Sequence, residues 1–167
     1  MALQQALAAE LKYDATLTKK TFERLPQESF GWKPHEKSYS LGELASHIAN
    51  LTSWVGLMLN SDELDFLAGG KGPKRTVYNT SQELIAALDA NVQEALVELE
   101  KASEEDLNKS WKLRRGDHVI VDRPKKIVMR SLVLNHIVHH RGQLTVYMRL
   151  LNIPLPELFG PTADSKG

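Results

Sequence analysis

A chain of 167 residues is long enough to bury one hydrophobic core and too short for two, so we expect a single domain spanning residues 1–167. Its 21 basic and 21 acidic side chains give a formal net charge of zero, and we therefore expect neither nucleic acid nor an anionic membrane surface among its partners. The absence of cysteine excludes disulfides, thiolate ligands and cysteine nucleophiles, so any bound metal must be held by nitrogen and oxygen atoms.

The N-terminal residues bear on where the protein works. The run MALQQALAAELKYD mixes apolar with acidic and polar side chains, and it lacks the basic and apolar regions of a secretory signal. No later stretch approaches the roughly 20 apolar residues that a membrane-spanning helix needs. We therefore expect a cytoplasmic protein.

The first two predicted helices are defined by apolar residues at helical spacing. The first runs from about Leu3 to Leu25, before Pro26 ends it. The second begins after Ser40, with Glu43 completing a capping box. Its inward side is expected to carry one histidine among the apolar residues, in the series Leu44, His47, Ile48, Leu51, Val55 and Met58.

Two further helices follow a long loop. The third begins near Thr80 or Ser81 and continues to Leu99, before Ser103 opens a short acidic turn. The fourth starts after Pro124 and reaches about Leu151. Its core-facing stripe is expected to hold Ile127, Leu134, Ile137, Leu144 and Leu151, flanked by Val133, His136, His140 and Tyr147. Four helices joined in this way predict an all-α fold, a four-helix bundle.

The connecting segments are rich in turn residues and cations. Glycines and a proline predict a loop in the run FLAGGKGPKRTVYN, whose cations we expect to be solvated: Lys71, Lys74 and Arg75. The run NKSWKLRRGDHVIVDRP alternates around Gly116 and predicts a short hairpin between the third and fourth helices, with its own solvated cations: Lys112, Arg114 and Arg115. The proline-containing tail, residues 152–167, is expected to pack in an extended form.

Three histidines form the main chemical signal of the sequence. His136 and His140 lie four positions apart on one predicted helix, so both rings project from the same face about one turn apart. His47 lies on the inward side of an earlier helix. Neutral imidazole is a common ligand of zinc, nickel and iron, and convergence of these rings would form a metal site with an open face. Positions three apart are helix neighbours too, so spacing leaves His139 open as an alternative to His140, although the stripe favours His140.

A histidine on an apolar stripe is more often a hydrogen-bonded core residue than a ligand, and this holds for His47 taken alone. Burying three imidazoles in one small core costs on the order of 1–3 kcal/mol each when no partner compensates. One shared cation would satisfy all three rings, which favours the metal site. His35 and His118 lie in a loop and in the hairpin, where we expect solvent exposure.

Neighbouring residues of the fourth helix suggest supporting roles. Arg141 is expected to pair with a carboxylate on another helix, and Gly142 to permit close helix packing. Gln143 is placed to hydrogen-bond a ligand histidine. The tryptophans either line a pocket mouth or belong to the core or an interface: Trp32, Trp54 and Trp111.

Two runs, WKPHEKSYSLGELASHIANL and LVLNHIVHHRGQLTVYMRLLNIPLPELFGPTAD, resemble the DinB/YfiT-like superfamily. The most specific parts are the histidine one turn into the second helix and the H-x-x-x-H-R-G-Q-L run of the fourth. The resemblance extends over the whole chain and implies a four-helix bundle. It also implies that His47, His136 and His140 bind one divalent metal ion, nickel, zinc or iron, with water completing the coordination sphere.

The resemblance implies less about activity. Related proteins include bacillithiol and mycothiol S-transferases and a mycothiol-dependent maleylpyruvate isomerase, which suggests a small-molecule substrate, a low-molecular-weight thiol as partner, and a homodimer. The first hypothesis is a metal-dependent S-transferase or hydrolase. The alternatives are a non-catalytic metal-binding, stress-related protein and a helical dimerisation module with core histidines. The sequence assigns no catalytic residue, since Glu43 is better explained as a cap and Tyr147 cannot be placed relative to the site.

Overall fold

A computed structural model describes residues 2–68 and 75–165, and Lys71 and Lys74 lie outside the described residues. The fold is mostly helical, as predicted, and includes a small three-stranded sheet. In chain order the elements are α1 (Leu3–Phe22), α2 (Leu41–Leu51), α3 (Trp54–Leu59), β1 (Glu63–Asp65), α4 (Ser81–Lys101), α5 (Glu104–Asn108), β2 (Ser110–Arg115), β3 (His118–Pro124), α6 (Lys125–Met129) and α7 (Asn135–Leu150). No helix in the described part of the chain combines the length and apolar character that spanning a membrane requires.

The first helix is shorter than predicted. It ends at Phe22, about one turn before the expected Leu25. There the backbone tightens, since the Leu25 amide donates to the Phe22 carbonyl, three residues back, at 3.1 Å. Pro26 has no amide proton to continue the helix, so the closing turn forms just ahead of it.

The start of α2 is set by its cap and by a close contact with the preceding loop. The Ser40 hydroxyl accepts from the Glu43 amide, and the Glu43 carboxylate accepts from the Ser40 amide, which is the predicted capping box. The Gly42 amide donates to the Phe30 carbonyl at 2.9 Å, and a Cβ at Gly42 would lie 3.0 Å from the Phe30 ring. Glycine therefore lets the loop pack against the first turn of α2, which orients the helix that carries His47.

The second predicted helix is interrupted. The structure divides it into α2 and α3, with Thr52 and Ser53 between them. The Thr52 hydroxyl donates to the Ala49 carbonyl at 3.3 Å and the Ser53 hydroxyl donates to the Asn50 carbonyl at 2.7 Å. Such local bonds compete with the helical ladder, so the expectation of one continuous helix to Met58 is wrong at this point.

The predicted hairpin is confirmed and belongs to a larger sheet. Strands β2 and β3 pair antiparallel, and Gly116 adopts a φ of 59° in the turn between them, a conformation that favours glycine. Strand β1 pairs in parallel with β2 and was not predicted, because three residues carry too little alternation. The Trp111 side chain of β2 is fully buried and donates its indole N–H to the Ser61 hydroxyl.

The fourth predicted helix contains a π-helical segment, Arg130–Leu134, between α6 and α7. Because the wider turn adds a residue, it shifts the buried face by about one position. Ile127 is consequently 47% exposed, and its predicted place in the core is wrong, whereas Val128 is fully buried in its stead. Beyond the segment, Ile137 and Leu144 are buried as predicted.

Two predictions concern neighbouring residues of α7. The predicted ion pair of Arg141 is confirmed, and the predicted close packing at Gly142 is wrong. The Arg141 guanidinium is buried and lies 2.8 Å from the Asp14 carboxylate of α1, the partner expected on another helix. Gly142, however, faces open space, since a Cβ built there would meet no atom within 4 Å. The interpretation of Gly142 as a close-packing residue is therefore wrong.

A contiguous hydrophobic core joins the long helices. Helix α1 packs on α4, and α2 packs between α4 and α7. The described part of the tail contains bends and turns and is not the extended run that was predicted. It buries Ile153, and its Asp164 pairs with Arg149 of α7 at 2.7 Å. The packing of α2 on α7 brings the helix of His47 against the helix of the other two histidines.

Candidate metal centre

Three histidine rings meet where α2 packs on α7. The Nε2 atom of His136 lies 3.5 Å from Nε2 of His47 and 2.8 Å from Nε2 of His140. One ligand-capable atom from each of the three residues lies within 4.8 Å of the other two. The structure thus brings together His47, His136 and His140, the residues that spacing singled out, although 89 positions separate the first two.

The outer nitrogens of two rings face oxygen atoms. Nδ1 of His140 lies 2.7 Å from Oε1 of Gln143, and Nδ1 of His136 makes a longer contact of 3.4 Å with the Leu132 carbonyl oxygen in the π-helical segment. An oxygen acceptor at Nδ1 favours the tautomer with the proton on that nitrogen, which leaves Nε2 with a free lone pair. Both inner nitrogens therefore keep a free lone pair, and the predicted hydrogen bond between Gln143 and a histidine of the cluster is present.

The environment favours neutral rings. Burial, together with repulsion from the neighbouring His140, His136 and Arg75, lowers the pKa of His47 from its usual 6.5 to about 4. Burial also lowers the pKa of His136, while the hydrogen bond to Leu132 opposes this shift. For His140, burial again lowers the pKa against the opposing hydrogen bond to Gln143. Near neutral pH the three imidazoles are uncharged, which is the form that binds a metal cation.

Two of the three distances between the inner nitrogens match those expected around one bound ion. Two nitrogens bound about 2.0–2.1 Å from the same ion lie about 3.3 Å apart at a tetrahedral angle and about 2.9 Å apart at a right angle. The observed separations of 2.8 and 3.5 Å span these values. A first-row divalent ion such as zinc, nickel or iron accepts this donor set of three neutral nitrogens.

The remaining histidines lie apart from this cluster. His139 is exposed and contacts only the edge of the centre, with its ring centroid 4.9 Å from that of His140. Of the two alternatives that spacing left open, His140 and not His139 belongs to the cluster with His47 and His136 among the described residues. His35 and His118 are exposed, as predicted.

Two clefts adjoin the histidines. The first, of about 360 Å³, is lined by His47 together with Tyr39, Trp54 and Arg75. The second, of about 480 Å³, is lined by His140. Cavities of this size hold small molecules, so a ligand can reach the histidines from either cleft.

Aromatic residues shape the clefts. Tyr39 lines both of them, and its ring centroid lies 6.0 Å from that of His47. Tyr147 lines the second cleft and stacks edge-on against Trp32 at 5.6 Å between centroids. Neither Tyr147 nor Tyr39 belongs to a motif, so the sequence assigned no role to Tyr147 and did not predict Tyr39. The position of Tyr39 directly before the cap Ser40 was the only available signal.

The tryptophans divide between the two roles that the sequence left open. Trp54 lines the first cleft and packs edge-on against Trp111, with 6.5 Å between ring centroids. Trp111 is fully buried in the core. Trp32 is half-buried beside Tyr147, at the margin of the second cleft.

The chain is similar to known proteins in sequence and in fold. The model of the DinB family matches residues 2–158 of the chain. The protein YrdA of Bacillus subtilis (strain 168) is 24% identical over 160 residues, which cover 92% of this chain and 86% of YrdA.

Solved structures give the same result for the fold. The DinB-like protein YjoA from Bacillus subtilis superposes with a TM-score of 0.69 at 19% identity, covering 93% of this chain and 99% of that one. A DinB-like protein from Bacillus cereus ATCC 10987 also has a TM-score of 0.69, at 21% identity, covering 93% of this chain and 97% of its own. At these identities the likeness establishes the fold alone.

Proposed function

The chain belongs to the DinB family, and from its histidine cluster we propose that it is a divalent-metal-dependent enzyme that activates a thiol or water for transfer to a small electrophile. The observation that carries the proposal is the convergence of three Nε2-bearing rings beside clefts large enough for a substrate. A site that served only to stabilise the fold would need no such access.

The residues of the centre would divide the work. His47, His136 and His140 would hold one ion, and Gln143 would orient His140 through its Nδ1 proton. The ion, nickel, zinc or iron, would act as a Lewis acid that makes a thiol or water more acidic at neutral pH. Tyr39 and Tyr147 would enclose the reacting groups and limit the entry of bulk water.

Other parts of the proposal follow from the family resemblance. We infer that α1, the α2–α3 segment, α4 and the α6–α7 segment act as a four-helix bundle around the site, supported by the packing of α1 on α4 and of α2 on α4 and α7. The proposed partners are a small-molecule substrate, a low-molecular-weight thiol and a second copy of the chain in a homodimer. We further propose that the protein works in the cytoplasm, where such thiols are kept reduced.

The proposal is tested with His136→Ala and the matched control His139→Ala. Purified wild type should contain about one metal per chain by elemental analysis and should catalyse thiol transfer to, or hydrolysis of, small electrophiles. His136→Ala should lose both the metal and the turnover, whereas His139→Ala should keep both, because His139 lies outside the cluster.

Two outcomes would contradict the proposal. Turnover that persists in metal-free His136→Ala would exclude metal-dependent catalysis. One bound metal per chain with no turnover for either reaction class would favour the non-catalytic metal-binding protein instead.

A further inference from the structure

Arg75 lies in the first cleft, beside His47, and the backbone that carries it is tied to α2. Nδ2 of Asn50 donates to the Thr76 carbonyl at 2.7 Å, and the Tyr78 amide donates to the Ser46 hydroxyl at 2.9 Å. The Tyr78 hydroxyl in turn donates to Oδ1 of Asn50 at 3.2 Å. Asn50 is itself buried, so this connection is part of the packed structure, and it places Arg75 at the cleft that leads to the histidines.

The Arg75 side chain is also positioned without a carboxylate partner among the described residues. Its guanidinium carbon lies 5.9 Å from the centroid of the Phe66 ring, a cation–π contact that leaves the N–H groups available. Four other arginines of the described chain each have a carboxylate within 2.8 Å: Arg114, Arg130, Arg141 and Arg149. Arg75 therefore differs from them in having no carboxylate partner among the described residues, and its exposed guanidinium is free to act as a bidentate donor at the cleft.

Glu43, which is the carboxylate among the described residues lining this cleft, does not form an ion pair with Arg75. Glu43 accepts from the Ser40 amide at 2.7 Å and lies 3.3 Å from the Lys33 ammonium. The charge of Glu43 is thereby compensated by Lys33 and by the capping box of α2. The cleft keeps a net attraction for an anion at its Arg75 end.

Among the other described residues of this cleft, Ser46, Asn50 and Thr76 are polar, and an apolar patch lies beside them. Trp54 and Val77 line the cleft with aromatic and aliphatic surface, and Tyr39 adds a second ring near His47. A ligand that fits this arrangement combines a small apolar body with one anionic group. A planar guanidinium binds a planar carboxylate through two parallel hydrogen bonds, which makes carboxylate the preferred anion.

We propose that Arg75 is the specificity residue of the site and binds the carboxylate of the electrophilic substrate, whose body lies along Trp54 and whose reacting atom lies at the histidine cluster. The assignment rests on the proposed function, because it names the substrate class of the same centre: a small, apolar carboxylic acid. Arg75 positions this substrate and takes no part in bond making or breaking.

The test measures binding to metal-free protein, so that it does not depend on turnover. Phenylacetate, the neutral phenylacetamide and phenyl phosphate are titrated separately while amide and indole shifts are followed by NMR, with Trp54 and Val77 as reporters. Phenylacetate should bind at least about tenfold more tightly than phenylacetamide and more tightly than phenyl phosphate. Arg75→Gln should abolish the preference for phenylacetate, and Arg75→Lys, which keeps the charge but not the planar fork, should retain part of it.

Arg24→Gln is the matched control, since Arg24 is exposed after the end of α1 and does not line the cleft. It should bind phenylacetate like wild type. Equal binding of phenylacetate and phenylacetamide, tighter binding of phenyl phosphate, or an unchanged preference in Arg75→Gln would each overturn the proposal. The metal content of Arg75→Gln is measured in parallel. A retained metal with an unchanged preference for phenylacetate would exclude the role of Arg75 alone. The proposed function would then still be tested by the His136 variants.

Discussion

The Nε2 atoms of His136 and His140 lie 2.8 Å apart, within hydrogen-bonding distance, while the Nδ1 atom of each ring faces an oxygen. Protons on both Nδ1 atoms leave two lone pairs directed at each other in a partly buried site. Such an arrangement is unfavourable unless a cation or a proton lies between the nitrogens. The histidine cluster therefore lowers the free energy of unfolding of the metal-free protein, and a bound ion would offset this loss.

Replacing one of these rings should stabilise the metal-free protein. His140→Leu removes a lone pair and fills the space with an apolar side chain, so we expect its free energy of unfolding to rise by about 1 kcal/mol, or roughly 3 °C in Tm. With metal at a hundredfold excess over its Kd the order should reverse, since only wild type gains about 2.7 kcal/mol. Calorimetry with and without a chelator measures both effects. A metal-free His140→Leu variant less stable than wild type would contradict the argument, and the exposed His139→Leu should change little.

Gln143 should control metal affinity through the orientation of His140. Gln143→Leu removes the acceptor that lies 2.7 Å from Nδ1 of His140, and loss of such a partner typically weakens metal binding by about 10- to 100-fold. Gln143→Glu keeps an acceptor at that place and should bind metal at least as tightly as wild type. Competition with a chromophoric chelator gives the affinities. Equal affinity of the leucine and glutamate variants would show that Gln143 does not act on the ring.

The metal-free protein should lose stability as the pH falls from about 6.5 toward 4. Burial and repulsion from the neighbouring His140, His136 and Arg75 together lower the folded-state pKa of His47 from 6.5 to about 4, so between these values the unfolded chain binds a proton that the folded chain does not. Stability contributed by the neutral ring is fully present above pH 6.5 and is lost as the pH drops through the folded pKa. Denaturant unfolding at a series of pH values measures the slope.

Variants identify the source of this pH dependence. His47→Gln has no titrating ring and should show a shallower slope, reduced but not abolished because burial also lowers the pKa of His136 and His140. His118→Gln, on an exposed strand residue outside the cluster, should keep the wild-type slope. A slope unchanged by His47→Gln would mean that other groups cause the acid destabilisation.

The ion pair between α7 and α1 should matter for stability in proportion to its burial. The side chains of Arg141 and Asp14 are 2% and 14% exposed, so Asp14→Ala leaves a buried guanidinium without its carboxylate and should cost about 3 kcal/mol. Arg130 and Glu10 form a similar pair at 2.8 Å, but their side chains are 47% and 45% exposed, and Glu10→Ala should cost less than about 1 kcal/mol. Urea denaturation compares the two, and equal losses would contradict the role of burial.

Local signals in the sequence predicted most of the helical framework. Helix α4 begins at Ser81 behind its cap Thr80, as expected, because capping depends on neighbouring residues only. Local signals did not predict the structure correctly where they compete with one another. Thr52 and Ser53 bond to carbonyls of the preceding turn and divide the second helix, and the π-helical turn moves Ile127 out of the core. Periodicity alone reveals neither, because both retain an apolar pattern.

Only the part of the candidate centre that depends on local geometry was predicted from the sequence. The pairing of His136 with His140 follows from helical geometry, since four positions make about one turn. The roles of Tyr39, Tyr147 and Arg75 could not be predicted, because a cleft forms only after distant segments have packed. Arg75 was predicted to be a solvated loop cation, and it is exposed. Hydrogen bonds of the nearby Thr76 and Tyr78 backbone with Asn50 and Ser46 place it beside His47.

The sequence by itself therefore determined the helical class of the fold, the hairpin and the side-by-side placement of two imidazoles, since each depends on residues within a few positions of one another. Only the tertiary structure decided that His47 meets them, 89 positions away from His136, and that two clefts adjoin the three rings. The physical reason is that burial of the α2 and α7 faces against each other, a free energy shared by the whole core, sets the distance between the rings.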